Sequence, residues 1–170
     1  LGIAAETLDG TRVEAMEPPE DREAAIAKIG EMSDMLEEIL VLARAGRARE
    51  PAKRMDVAAL VETLVDEQQE LGRPARMATQ ERVVAEIQPG LVRRAVTNLI
   101  DNAIKYGGGA MAIVQYVPGG VEIRIADEGP GIPDEELERV LEPFHRLEGS
   151  RNRGTGGTGL GLAIARAIAE

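Results

Sequence analysis

Apolar residues recur between positions 25 and 43 in alternating steps of four and three: Ala25, Ile29, Met32, Leu36, Ile39 and Ala43. That spacing lines them up on one stripe of an α-helix. Pro18-Pro19-Glu20-Asp21 supplies a start signal, and Gly46 with Pro51 a stop. Met35, Leu40 and Leu42 widen the apolar face beyond what a two-stranded coiled coil needs. The pattern therefore predicts either one helix of a four-helix bundle built as a dimer of hairpins, with Leu1 to Leu8 as the end of the partner helix, or an ordinary helix packed on its own domain.

Arg47 to Lys53 reads as a linker, and the patterning changes after it. Asp56 is an N-cap for a helix that runs to about Leu71. Arg82 to Ile87 is strand-like, Gln88-Pro89-Gly90 breaks it, and a second helix follows in which Val92, Val96, Leu99, Ile100 and Ala103 share the core stripe. On that helical wheel Arg94 and Asp101 fall on the opposite, solvent side. Met111 to Val117 and Val121 to Asp127 alternate with period two around Pro118-Gly119-Gly120, so they predict an antiparallel hairpin. A glycine-rich run, Gly154 to Leu162, leads into helical Ala163 to Ala169. Helices over one face of a mostly antiparallel sheet make an α+β two-layer sandwich.

Composition narrows the possible functions. Hydrophobic residues make up 44% of the 170-residue chain and aromatics 2%, so the core is aliphatic and there is no aromatic platform for stacking nucleic-acid bases. The net charge of -10 disfavours polyphosphate backbones and anionic membrane surfaces as partners. Without cysteine there are no disulfides, thiolate nucleophiles or structural zinc sites, and His145 is the single histidine. No run of about 18 apolar residues occurs. The opening Leu1-Gly2-Ile3 is neither an initiator methionine nor a signal-peptide start, which predicts a soluble piece of something longer.

Three segments carry candidate chemistry. Along the second helix Asn98, Asn102 and Lys105 form a line roughly a third of a turn from the apolar stripe, on the shoulder where a helix meets a pocket rim. Asparagine is a poor helix former. Either these residues make local hydrogen bonds or they face a ligand. Strand parity puts Asp127 on the same buried side as Val121, Ile123 and Ile125, where a carboxylate needs a donor. An exocyclic amine, as on adenine, is one such donor, and the turn before Asp134 is the other. The glycines of Glu128-Gly129-Pro130-Gly131-Ile132-Pro133 permit close approach by a planar ligand. Gly154 to Leu162 offers backbone N–H groups at a helix start, suited to an anion, or else is a flexible linker. It lacks the lysine of a phosphate loop and the βαβ context of a dinucleotide fingerprint.

In this order the three segments resemble the ATP-binding domain of bacterial sensor histidine kinases, within the GHKL superfamily. Asn98 to Tyr106 is similar to that family's N box, Asp127 to Pro133 to its first glycine box, Glu142-Pro143-Phe144-His145-Arg146 to its F box, and Gly157 to Leu162 to its second glycine box. The resemblance covers roughly Met55 to Glu170, and Ala25 to Ala43 resembles the second helix of the family's dimerisation and phosphotransfer hairpin. It implies two regions: 1–50, a partial hairpin and linker, and 51–170, a catalytic domain of Bergerat type, C-terminally truncated because Glu170 ends it inside a helix.

The resemblance also implies roles. Asn102, assisted by Asn98, would ligate the Mg2+ that bridges the phosphates of ATP, and Lys105 would offset phosphate charge. Tyr106 would pack near adenine and Asp127 would read its amine. Gly129, Gly131 and Ile132 would shape the slot, while Thr158, Gly159, Leu160 and Gly161 would donate to phosphates. Asp134 to Gly156 would form a lid, with Arg146, and Arg151 or Arg153 less so, reaching the triphosphate. Hydrolysing relatives carry glutamate where this chain has Asn98, and an amide cannot accept a proton from water at neutral pH. The resemblance thus implies phosphoryl transfer to a histidine outside this chain, which has no His-Glu-Leu-Arg-Thr-Pro-like box. His145 is expected to be an exposed lid residue. The implied partners are a second copy through the helical hairpin and a response-regulator receiver domain, with no nucleic acid. The implied location is the cytoplasmic portion of a bacterial inner-membrane protein. The rival readings are a degenerate kinase acting as a dimerisation module and a GHKL-type hydrolase.

Overall fold

The structure is a computed structural model that describes residues 19–44, 50–147 and 158–169. The chain divides into two compact units, Leu1–Glu37 and Glu38–Glu170. The division falls inside helix α1 (Pro19–Arg44), whereas the family resemblance divides the chain after residue 50. In the first unit Ile26, Ile29, Met32 and Leu36 of α1 are exposed. The expected partner-helix segment, Leu1 to Leu8, lies outside the described residues. Among the described residues no helix is long and apolar enough to cross a membrane.

The second unit runs β1 (Lys53–Asp56), α2 (Val57–Glu70), β2 (Ala75–Met77), β3 (Val84–Ile87), α3 (Pro89–Gly107), β4 (Ala110–Val117), β5 (Gly120–Ala126) and α4 (Gly161–Ala169). Strands β1 and β3 pair antiparallel, and β2-β4-β5 form a second sheet. In that sheet β4 and β5 are the expected hairpin, with Val114 opposite Ile123, while β2 joins β4 in parallel. The expectation of a linker through Lys53 needs correction, because Lys53 already pairs with Ile87.

Asp56 begins α2 as expected. Its side chain accepts from the Ala59 N–H at 3.2 Å, and the Arg82 Nε lies 3.1 Å from its other oxygen. The Ala59 N–H is the main cause that holds the Asp56 carboxyl below its ordinary value; desolvation, the next in size, opposes it, and Val83 and Arg82 add to the lowering. Helices α2 and α3 cover one face of β4 and β5 and enclose an aliphatic core. Val57, Val61 and Val65 of α2 meet Val96 and Ile100 of α3 and Val114 of β4, all nearly inaccessible to water. Each such side chain contributes about 1.5–3 kcal/mol relative to exposure. This α+β two-layer arrangement leaves the shoulder of α3 facing away from the core.

Candidate functional site

Helix α3 fixes the polar line. Val96, Ile100 and Ala103 are buried, which turns Asn98, Asn102 and Lys105 toward a cavity of about 700 Å³. A cavity of that size suits a small organic ligand. Asp101, expected on the solvent side, lines the cavity as well and is paired with Arg73 at 2.8 Å. The reason is that position 101 lies three residues after Asn98 and four before Lys105, so it shares their side of the helix. Asn98 Nδ2 donates to the Gly161 carbonyl at 3.3 Å and so ties α3 to the start of α4. Lys105 Nζ sits 5.2 Å from the centre of the Tyr106 ring, a cation–π contact at the cavity wall.

Asp127 is corrected from a buried strand position. It lies one residue beyond the end of β5, at the cavity wall, and is exposed, because the strand that would hold it against the core has ended. The chain packs around its carboxylate instead. Gly129 N–H donates to Oδ1 at 2.8 Å, a Cβ on Gly129 would stand 2.7 Å from that oxygen, and a Cβ on Gly107 would stand 2.5 Å from it. Only glycine fits at either place. Gly107 falls outside the motif as read from sequence, which stops at Tyr106; the signal is the Gly107-Gly108-Gly109 run in which the helix ends. The carboxylate's second oxygen remains an acceptor suited to an amine.

Gly131, Ile132 and Arg146 line the same cavity, as do Thr158, Gly159 and Gly161. Thr158 donates its hydroxyl to Glu38, within the same compact unit, and accepts from the Leu160 N–H at 3.2 Å. Leu160 departs from expectation. Its side chain is fully buried and its amide is taken by Thr158, so it anchors α4 in the core and does not line the cavity. Of the expected lid, Asp134–Glu136 and Arg139–Leu141 form 3-10 turns, while Arg151, Arg153 and Gly154 to Gly157 lie outside the described residues. His145 is half-buried, not exposed, and its imidazole meets Glu136 at 2.7 Å.

The donor set fits a magnesium nucleotide. Asn98 and Asn102 offer hard amide oxygens, and among the described residues no group of three or more His, Cys, Asp or Glu could hold a metal unaided. Mg2+ takes few protein ligands and completes its shell with phosphate and water, so such a site suits the ion only together with a polyphosphate.

Residues 87–170 match the family described as histidine kinase-, DNA gyrase B-, and HSP90-like ATPase. The chain is 35% identical over 158 residues to the sensor-like histidine kinase SenX3 of Mycolicibacterium smegmatis, covering 86% of this chain and 41% of that protein. It is similar to the ATP-binding domain of PrrB from Mycobacterium tuberculosis, with TM-score 0.57 and 25% identity over 71% of this chain and 80% of that one. Full-length ShkA, solved in complex with AMPPNP, shares the fold with TM-score 0.70 at 24% identity, over 94% of this chain and 36% of that one.

Proposed function

Because the chain carries an ATP-binding domain of the histidine kinase-, DNA gyrase B- and HSP90-like (GHKL) family, we propose that it is the catalytic region of a two-component sensor histidine kinase that passes the γ-phosphate of ATP to a histidine outside this chain. The chain spans 41% of the length of SenX3, so the acceptor and the sensing parts belong to the parent protein. The observation that carries the reading is the cavity that gathers Asn98, Asn102 and Lys105 on one wall and Asp127, caged by Gly107 and Gly129, on another. Asn102, with Asn98, would hold the Mg2+, which when bound offsets phosphate charge and orients the triphosphate. Lys105 contributes a cation to the same end. Asp127 accepts from the adenine amine, and the backbone at Thr158, Gly159 and Gly161 receives phosphate oxygens.

Asn98 has no basic lone pair and spends its amide N–H on Gly161, so the wall nearest the phosphates holds the nucleotide without drawing a proton from water. Transfer to an aligned acceptor then outruns hydrolysis. In the parent protein the chain works as a homodimer through α1 and its preceding helix, on the cytoplasmic side of a bacterial inner membrane, and hands the phosphate on to a receiver domain. The test is to mix the chain with labelled ATP and a separate polypeptide carrying the preceding helix and its histidine. Acid-labile label on that polypeptide, lost with Asn102→Ala, is the expected result. Steady phosphate release by the chain alone, abolished by Asn102→Ala, would instead establish a hydrolase.

A further inference from the structure

Segment 142–147 crosses the backbone at Gly159, is closed by one hydrogen bond of its own and is held from outside by two more. The Phe144 N–H donates to the Gly159 carbonyl at 3.0 Å, the His145 N–H donates to the Glu142 carbonyl at 3.2 Å, and His145 Nε2 donates to Glu136 Oε2 at 2.7 Å. Phe144 has φ 66°, the one non-glycine residue in the left-handed region among those described. Such a conformation persists only where the surroundings over-determine it. The Phe144 ring does not supply that restraint, because it is 54% exposed.

The restraint comes from the neighbours. A Cβ on Gly159 would stand 3.0 Å from the Phe144 Cα, so the two backbones are in close contact. Glu136 is itself fixed, since its other oxygen accepts from Arg139 Nη1 at 2.7 Å. The Glu136 and His145 side chains are 22% and 18% exposed, so their hydrogen bond is shielded from competing water. It joins the 3-10 turn at 134–136 to the segment that bears the next residue, Arg146, and His145, Arg146 and Leu147 all line the cavity.

We infer that His145 and Glu136 are a positioning pair that aims Arg146 at the terminal phosphate of the nucleotide. The inference rests on the nucleotide reading of the cavity and adds to it which residues distinguish a triphosphate from a diphosphate. Arg146 can pair with phosphate oxygens only if its backbone is placed, and anchoring the adjacent imidazole places it.

The test is calorimetry of ATP and of ADP, each with magnesium, on the full 170-residue chain and on His145→Phe, His145→Gln, Glu136→Gln, Arg146→Ala and the double variant His145→Phe/Arg146→Ala. His145→Phe is expected to weaken ATP about fivefold to tenfold, leaving ADP within about twofold. His145→Gln, which keeps a donor, restores most of the ATP affinity, and His145→Phe has no further effect once Arg146 is alanine. Equal weakening of ATP and ADP, or losses that add in the double variant, would overturn the pair's role. If His145→Phe lowers the folded fraction, Glu136→Gln decides by the same ratio of ATP to ADP affinity. Should Arg146→Ala alone leave the ATP-to-ADP ratio unchanged while both nucleotides bind, the proposal fails and the cavity reading stands. Should the unaltered chain bind neither nucleotide, both fail.

Discussion

At Gly107 a single methyl group has no room. Its Cβ would stand 2.5 Å from Asp127 Oδ1 and 2.7 Å from Cγ, and neither partner can withdraw, because Gly107 closes α3 and the Gly129 amide holds the carboxylate. Gly107→Ala is therefore expected to push Asp127 out of line and weaken ATP about tenfold or more, the loss of a charge-assisted hydrogen bond. The variant should weaken adenosine by a similar factor, since the damage sits at the base and not at the phosphates. Calorimetry with both ligands checks this, and a loss confined to ATP would place Asp127 elsewhere. The same residue shows how far the site was legible in sequence. Asn98, Asn102, Lys105 and Asp127 declared themselves by side-chain chemistry at recognisable spacing. Gly107 contributes an absence, and the need for it arises only when a residue twenty positions later folds back against it. Asp101 is a different case: its spacing from Asn98 and Lys105 already sets it beside them on the helix, and only its partner, Arg73, comes from outside the local sequence.

Helix α2 starts where it does because Asp56 accepts from the Ala59 N–H, and that bond sets a pH dependence. The Asp56 carboxyl is held below its ordinary value, chiefly by the Ala59 N–H and then by Val83 and Arg82. A group lowered in the folded state contributes stability that is present above its unfolded value and is lost as pH falls through its folded value. Asp56→Asn retains a capping oxygen, so its melting temperature at neutral pH should drop only slightly. Its decline in acid should be shallower than that of the unaltered chain. Asp56→Ala loses the cap at every pH. Thermal melts of the three proteins from neutral pH down into the carboxylate range check the order, and parallel curves for the unaltered chain and the Asp56→Asn variant would disprove the linkage. Asp56 was legible because capping is local. Strand β2 was not, since three residues are too few to show period two, and neither was β1, which has two basic residues and an aspartate among its four positions. What holds them is remote: Lys53 pairs with Ile87, Ala75 with Ala110, and the Thr79 hydroxyl accepts from the Val114 N–H at 2.6 Å. The β4–β5 hairpin was legible because its two strands are joined by a local turn.

At the scale of the whole chain, the two regions should separate by function at a boundary that one carboxylate marks. Glu50 Oε2 accepts from the Gly90 N–H at 2.8 Å, at the first turn of α3, where Gln88 provides no side-chain cap. A carboxylate there stabilises a helix start by about 0.3–1 kcal/mol. A chain beginning at residue 47 keeps this contact and loses the apolar stripe of α1. It is expected to be monomeric by sedimentation while the full chain associates. It should also bind ATP within about twofold of the full chain, because the truncation gives up one cavity contact, the Thr158 hydroxyl on Glu38, and leaves Asn98, Asn102, Lys105 and Asp127 in place. Glu38 is the one described cavity residue that this truncation removes, and an anion offers no attraction to a triphosphate. A chain beginning at residue 53 loses Glu50 too, so it should melt at a lower temperature, with the loss reproduced by Glu50→Ala in the longer chain. Association that survives removal of residues 1–46 would refute the bundle reading of α1. A fall in ATP affinity of about tenfold on the same truncation would show that the nucleotide site depends on the Glu38 contact or on other residues before the β1 strand.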